Sequence, residues 1–181
     1  MIILAIANQK GGVGKTTTVA NLGACLAERD RRVLMLDVDP QSNLTIHFGI
    51  EPDRQMPSLY GVLRGEHGLE QAIRATGLAG LSIVPASIDL AGLSVELADR
   101  PGRLMLLRQA LQALPDGFDY VLMDSPPSLG LLTVNAMCAA EEVFIPLQTE
   151  FFALQGVSKL LRSVRLVRKG LNRELRISGV I

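Results

Sequence analysis

The chain has 181 residues, 48% hydrophobic and only 4% aromatic, which suits one well-buried domain with an aliphatic, α/β-type core. Eighteen Lys and Arg balance eighteen Asp and Glu, so overall charge neither predicts nor excludes nucleic-acid binding, and any electrostatic attraction must be local. No stretch reaches transmembrane length and the opening apolar run lacks a basic flank; Cys25 and Cys138 lack CxxC spacing, so a cytoplasmic protein with two buried, reduced thiols and no stable membrane insertion is expected.

Ile2 to Ala7 is a short apolar run of the kind a buried parallel strand needs, and Thr16 to Glu28 reads as a helix with Val19, Leu22, Ala24 and Leu26 for packing. Between them, Lys10-Gly-Gly-Val-Gly-Lys-Thr-Thr17 sets two lysines and three glycines at the strand-to-helix turn. A phosphate there meets the unpaired N–H groups and the positive dipole end of the helix, and glycines let the backbone approach closely. Lys10, Gly11, Gly12, Val13, Gly14, Lys15, Thr16 and Thr17 are therefore the candidate polyphosphate-binding residues, with Lys15 adding a full charge. A glycine-rich turn that binds nothing is the alternative, and it leaves the coincidence of strand, loop, lysines and hydroxyls unexplained. The general P-loop pattern wants a glycine where Gln9 stands, so the loop is a variant that carries Lys10 as a second lysine. In this it resembles the deviant Walker A box of the ParA/MinD group of P-loop ATPases.

Val33 to Val38 forms the second strand. Asp37 and Asp39, separated by one residue, point to the same side of an extended chain, and Pro40 keeps Asp39 out of helical geometry. Two such carboxylates repel unless compensated. A cation with lysines nearby would do so, which suits metal-shell support for Asp37 and positioning of an attacking water for Asp39; turn aspartates at a strand exit are the other reading.

Residues 49–80 carry Gly, Pro, Arg and Glu with weak periodicity, and read as a surface excursion with one short helix over Ser58 to Leu63. A strand follows at Leu81 to Pro85, then helices at Leu90 to Ala98 and Arg103 to Leu114. The strand Tyr120 to Asp124 ends in a carboxylate, the usual form of a Walker B strand, although such an aspartate can also merely cap a turn. Phosphates held by lysines need a divalent cation with oxygen ligands, so Thr16, Asp37 and Asp124 are the candidate metal residues. A helix over Leu129 to Ala140, a strand at Val143 to Leu147, a helix over Leu154 to Lys169 and a strand at Ile177 to Ile181 complete the series.

This alternation predicts an α/β, three-layer P-loop NTPase fold: a mostly parallel twisted sheet with helices on both faces, and ligands at the carboxyl ends of its strands. The final strand has no room for a covering helix, so the chain reads as one domain that is C-terminally truncated. Lys159, Arg162, Arg165, Arg168, Lys169, Arg173 and Arg176 accompany apolar Val157, Leu160, Leu161, Val164, Val167 and Leu171, an amphipathic pattern with a cationic margin. That margin is either solvated surface or a contact for a phosphate backbone.

Three stretches together resemble the ParA/Soj chromosome and plasmid partitioning ATPases over nearly the whole chain. Asn8-Gln-Lys-Gly-Gly-Val-Gly-Lys-Thr-Thr-Thr18 is similar to the family's deviant Walker A, Leu36-Asp-Val-Asp-Pro-Gln-Ser-Asn43 to its A′ motif, and Asp119-Tyr-Val-Leu-Met-Asp-Ser-Pro-Pro-Ser-Leu-Gly130 to its Walker B region. Ile83-Val-Pro-Ala-Ser-Ile-Asp-Leu-Ala91 and Ile145-Pro-Leu-Gln-Thr-Glu-Phe-Phe-Ala-Leu-Gln-Gly156 are similar to further family segments. The resemblance implies ATP and Mg²⁺ as cofactors and an ATP-dependent sandwich homodimer in which Lys10 reaches the partner's nucleotide and Gly12 permits close approach of the two loops. It implies Lys10, Lys15 and Asp39 as catalytic residues, Asp39 orienting water, and DNA binding without sequence preference that is ended when a ParB-like centromere-binding partner stimulates hydrolysis. Nucleoid association follows if DNA is bound. Competing readings are a MinD-like regulator on a membrane surface, which requires a C-terminal amphipathic helix, and a non-hydrolysing interaction protein. An iron–sulfur relative lacks support because Cys25 and Cys138 sit in the wrong contexts, and a guanine-nucleotide switch because no Asn-Lys-x-Asp occurs.

Overall fold

The computed structural model describes residues 1–148 and 153–181, with side chains in the second stretch from residue 156. Thr149, Glu150, Phe151 and Phe152 of the segment singled out above lie outside the described residues. In chain order the elements are β1 (Ile2–Ile6), α1 (Lys15–Ala27), β2 (Val33–Asp37), α2 (Asn43–His47), α3 (Leu59–Arg64), α4 (Leu69–Ala72), β3 (Arg74–Ala75) and β4 (Leu81–Val84). A 3₁₀ turn (Ile88–Ala91) leads to α5 (Leu93–Glu96), α6 (Leu106–Gln112), β5 (Tyr120–Asp124), α7 (Leu131–Ala139), β6 (Glu142–Ile145), α8 (Ala153–Gly170) and β7 (Arg176–Val180).

The strands make one seven-stranded sheet in the order β3-β4-β2-β5-β1-β6-β7, parallel except where β3 meets β4. Parallel pairing requires crossovers that put helices over both faces, so strand side chains are buried whichever way they point. Leu4, Ile6, Val33, Met35, Ile83 and Leu122 pack beneath α1 and α2 with Val19, Ala20 and Leu44. The alternate residues Ala5, Leu34, Leu36, Val121, Met123, Val143 and Ile145 pack on the opposite face, against Leu107 and Leu111 of α6, Ala136 and Met137 of α7, and Leu160, Val164 and Val167 of α8. Three layers result, as the alternation of elements implies.

Several boundaries differ from the sequence reading. The helix expected over Leu90 to Ala98 is a 3₁₀ turn followed by α5, because the Ser87 hydroxyl accepts from the Asp89 amide and starts the turn early. The helix expected from Arg103 begins only at Leu106: Gly102, at φ 74°, holds the preceding residues in turns. Within the excursion, α4 and the two-residue β3 are additional, β3 running antiparallel to β4. Cys138 is buried, and burial pushes its thiol up to about 11, but Cys25 is exposed on α1, against the expectation of two buried thiols. It falls on the solvent side of a helix whose buried residues are Lys15, Val19, Ala20 and Gly23. No helix among the described residues is long and apolar enough to cross a membrane.

Candidate functional site

Ile6 pairs with Asp124 and Asp124 with Asp37, so β1, β5 and β2 end side by side. The glycine loop leaves the first of these ends, and the two aspartates terminate the others. Each comes from a different part of the chain, and the parallel register alone assembles them at the carboxyl edge where ligands of such sheets bind.

The loop enters α1 through Gly14 at φ 89°, with Gly12 at φ 72°. Both are left-handed conformations that an L side chain rarely tolerates. Among the described residues, a Cβ at Gly11, Gly12 or Gly14 would meet no atom within 4 Å, so the constraint at Gly12 and Gly14 lies in the backbone. Among the described residues no side chain caps α1, and its first turn holds no acidic residue, so its leading N–H groups suit an anion.

Lys15 is only 7% exposed, and its ammonium donates to the Lys10 carbonyl at 3.1 Å. Burial lowers its pKa from the ordinary lysine value, while Asp124 and Asp39 pull it back up. Thr16 Oγ1 donates to Asp124 Oδ2 at 2.6 Å. The other carboxylate oxygen of Asp124 and the Ser125 hydroxyl are buried and have no partner among the described residues. Burial pushes the Asp124 carboxyl up to about 7, with repulsion from Asp37 and Asp39 adding to the shift and Thr16 and Lys15 opposing it. An unsatisfied buried carboxylate oxygen is costly unless something pairs with it. A hard cation fits that position.

Asp37 is fully buried and already satisfied. Its Oδ2 accepts from the Thr45 amide at 2.8 Å and the Thr45 hydroxyl at 2.7 Å, and its Oδ1 from the Asp39 amide at 3.2 Å. Burial still drives its carboxyl up to about 6. Thr45 Oγ1 in turn accepts from the Ala86 amide at 3.0 Å, so Thr45 ties α2 both to Asp37 at the end of β2 and to the chain that leaves β4. Asp39 lies farther out, accepting from the Gln41 amide at 3.0 Å.

A cleft of about 380 Å³ is lined by Gly11, Gly12, Gly14, Lys15, Thr16, Thr17, Asp39, Gln41, Asn43 and Pro127. Of the residues predicted from sequence, Gly11, Gly12, Gly14, Lys15, Thr16, Thr17 and Asp39 thus share one wall. Val13 is buried behind the loop, Asp37 and Asp124 sit beneath it, and Lys10 stands half-buried at its start. Gln41, Asn43, Pro127 and Ser125 are additional. Gln41 and Asn43 could have been suspected as polar residues directly after a strand-end aspartate, whereas nothing local marks Ser125. No cluster of three or more His, Cys, Asp or Glu that could cage a metal occurs among the described residues. The donor set of one hydroxyl and one carboxylate beside an anion-binding loop suits a magnesium ion that keeps waters and takes its remaining oxygens from phosphates.

Comparisons with known proteins bear on this geometry. A family model described as an AAA domain matches residues 1–177. The sporulation initiation inhibitor protein Soj of Bacillus subtilis is 49% identical over 179 residues, covering 99% of this chain and 71% of that protein. The chromosome partitioning protein ParA of Caulobacter vibrioides is 50% identical over 181 residues, covering 99% and 68%. A crystal structure named cobyrinic acid a,c-diamide synthase, from Mycobacterium smegmatis with bound ADP and magnesium, superposes with a TM-score of 0.96 at 45% identity, covering 100% of this chain and 74% of that one. That name differs from those of the two sequence relatives, which are the more identical, and the structure shares the fold described above.

Proposed function

This chain belongs to the ParA/Soj family of chromosome-partitioning ATPases, and from that premise we propose that it is a nucleotide switch: it binds ATP with Mg²⁺ in the cleft beside α1, pairs with a second copy, and hydrolyses ATP slowly. When bound, ATP and Mg²⁺ supply a phosphoryl group whose transfer to water resets the switch. The glycine loop, the leading amides of α1 and Lys15 hold the phosphates. Thr16 and Asp124 hold the cation, and Asp37 supports that shell from behind by fixing the end of β2. Asp39 orients the attacking water, while Lys10 faces the nucleotide of the second subunit and counters charge there as an arginine finger does.

One observation carries this reading: the Thr16 hydroxyl and the half-satisfied Asp124 carboxylate meet at 2.6 Å directly below the uncapped start of α1. Turnover of ATP with magnesium tests it, and Asp39→Ala should abolish turnover while nucleotide binding survives. Normal hydrolysis by that variant removes the role of Asp39. Light scattering should show pairing with a slowly hydrolysed ATP analogue but not with ADP, and Lys10→Ala should abolish that pairing.

The setting we propose is the cytoplasm, with nucleoid association while DNA is bound and a ParB-like partner accelerating hydrolysis. Arg165, Arg168, Lys169 and Arg173 line an open hollow of about 410 Å³ at the end of α8, a surface suited to the phosphate backbone of DNA without base readout. Affinity that falls steeply with added salt supports this assignment, and unchanged affinity after charge reversal at Arg162 and Arg165 refutes it.

A further inference from the structure

Two hydrogen bonds tie the phosphate loop to the connection between β6 and α8. Asn8, which is 4% exposed, donates from Nδ2 to the Pro146 carbonyl at 2.6 Å, and its Oδ1 accepts from the Lys10 amide at 3.1 Å. Farther along the loop, Gln148 Nε2 donates to the Gly12 carbonyl at 3.1 Å. The first turn of α8 closes over the same amide, because a Cβ on Gly156 would stand 3.8 Å from Asn8 Oδ1. One buried side chain thus meets the exit of β1, the exit of β6 and the start of α8.

Asn8 does not line the cleft. What it holds is the backbone of Lys10, two residues on, in the spacing by which Asn side chains build their own turns. The Lys10 carbonyl is held as well, by the Lys15 ammonium at 3.1 Å. Such restraint has a purpose in a loop whose next residues are Gly11 and Gly12. A lysine on a glycine hinge sweeps a wide arc unless its Cα–Cβ bond is aimed, and misplacing a reacting group by about 1 Å can cost on the order of 100-fold in rate.

We propose that Asn8 is the positioning residue for Lys10: anchored on Pro146, it fixes the direction in which Lys10 is presented across the subunit boundary, with Gln148 securing the far side of the glycine pair. This rests on the two-subunit reading of Lys10 given above.

Asn8→Ala in the full chain tests it. Affinity for magnesium ATP should stay within about 3-fold of wild type, because the phosphate grip is untouched, while turnover and analogue-dependent pairing fall about 10- to 100-fold. Adding Asn8→Ala to Lys10→Ala should cost nothing further, since both changes remove the same contact. Asn8→Ser, whose hydroxyl can accept from the amide two residues on, should recover part of the loss, with hydrogen exchange at the Lys10 amide slower than in Asn8→Ala. Wild-type turnover in Asn8→Ala overturns the inference, as does lost nucleotide binding in the folded variant or an equal further drop on top of Lys10→Ala. If alanine does not fold, the serine variant decides, and turnover equal to wild type there is the refuting result. Full turnover in Lys10→Ala overturns the two-subunit reading and this inference with it, whereas impaired Lys10→Ala beside normal Asn8→Ala overturns the inference alone.

Discussion

Charge gathers at two ends of this molecule under opposite physical terms. Beneath the glycine loop, Lys15, Asp37, Asp39 and Asp124 are each less than 10% exposed, whereas at the far end of α8 Arg165, Arg168, Lys169 and Arg173 stand in solvent. The helix itself spans that distance, since Gln148 just before it touches Gly12 while Arg176 beyond it pairs with Glu142 at the start of β6. A buried charge is expensive, so four together require compensation by one another, by hydrogen bonds or by a ligand. Exposed charges cost little, and a cationic helix end also complements the helix dipole, so their clustering carries far less information. The contrast teaches which end deserves a chemical reading and which an electrostatic one.

The strongest way to break that contrast is Lys15→Ala, which removes the buried ammonium from among three carboxylates. Affinity for magnesium ATP should fall about 100-fold or more, as when one partner of a buried charge pair is truncated, measured with a fluorescent nucleotide. Undiminished affinity would mean the lysine is only structural. Asp39→Ala should lower turnover about 100-fold with the dissociation constant changed by less than about 3-fold, because the group orients water rather than phosphate. Proportional loss of both quantities contradicts that division of roles.

A third change probes the support behind the cleft. Thr45→Val deletes the hydroxyl that donates to Asp37 and accepts from Ala86, leaving two buried groups short of a partner. Denaturant unfolding should register a loss of about 2–3 kcal/mol, and a loss below about 0.5 kcal/mol would show that Asp37 does not depend on α2. At the other end, Arg165→Glu with Arg168→Glu should leave stability within about 0.5 kcal/mol per site and nucleotide affinity unaltered. It should reduce the slope of log DNA affinity against log salt by about 2 or more. An unchanged slope returns that end of α8 to ordinary solvated surface.

The difference in burial also explains what could be read from the sequence. Parallel strands buried on both faces appear as apolar runs, and Ile2 to Ala7, Val33 to Val38 and Tyr120 to Asp124 are such runs, ending where chemistry must lie; β1, β2 and β5 follow them closely. Lys15 and Thr16 were legible from the glycine loop that leads into α1, and Asp39 and Asp124 because a polar residue at the end of such a run is conspicuous. The five-residue α2 was not, because it is held by Thr45 reaching back to Asp37 and starts from Ser42 at φ 55°, a tertiary anchor that leaves no periodic trace. Two-residue β3 is likewise too short for any pattern. Asn8 opens the stretch Asn8 to Thr18 that resembles a deviant Walker A box, yet its bond to Pro146 spans 138 residues, so only the assembled sheet reveals its part.

Calorimetric titration of magnesium ATP into the folded chain, beside the Lys15→Ala variant, addresses the central claim most directly. The account predicts a saturable heat in the wild-type chain that is lost or greatly weakened in the variant and absent when magnesium is replaced by a chelator. No heat in the wild-type chain at millimolar nucleotide, or an identical isotherm in both proteins, would contradict it.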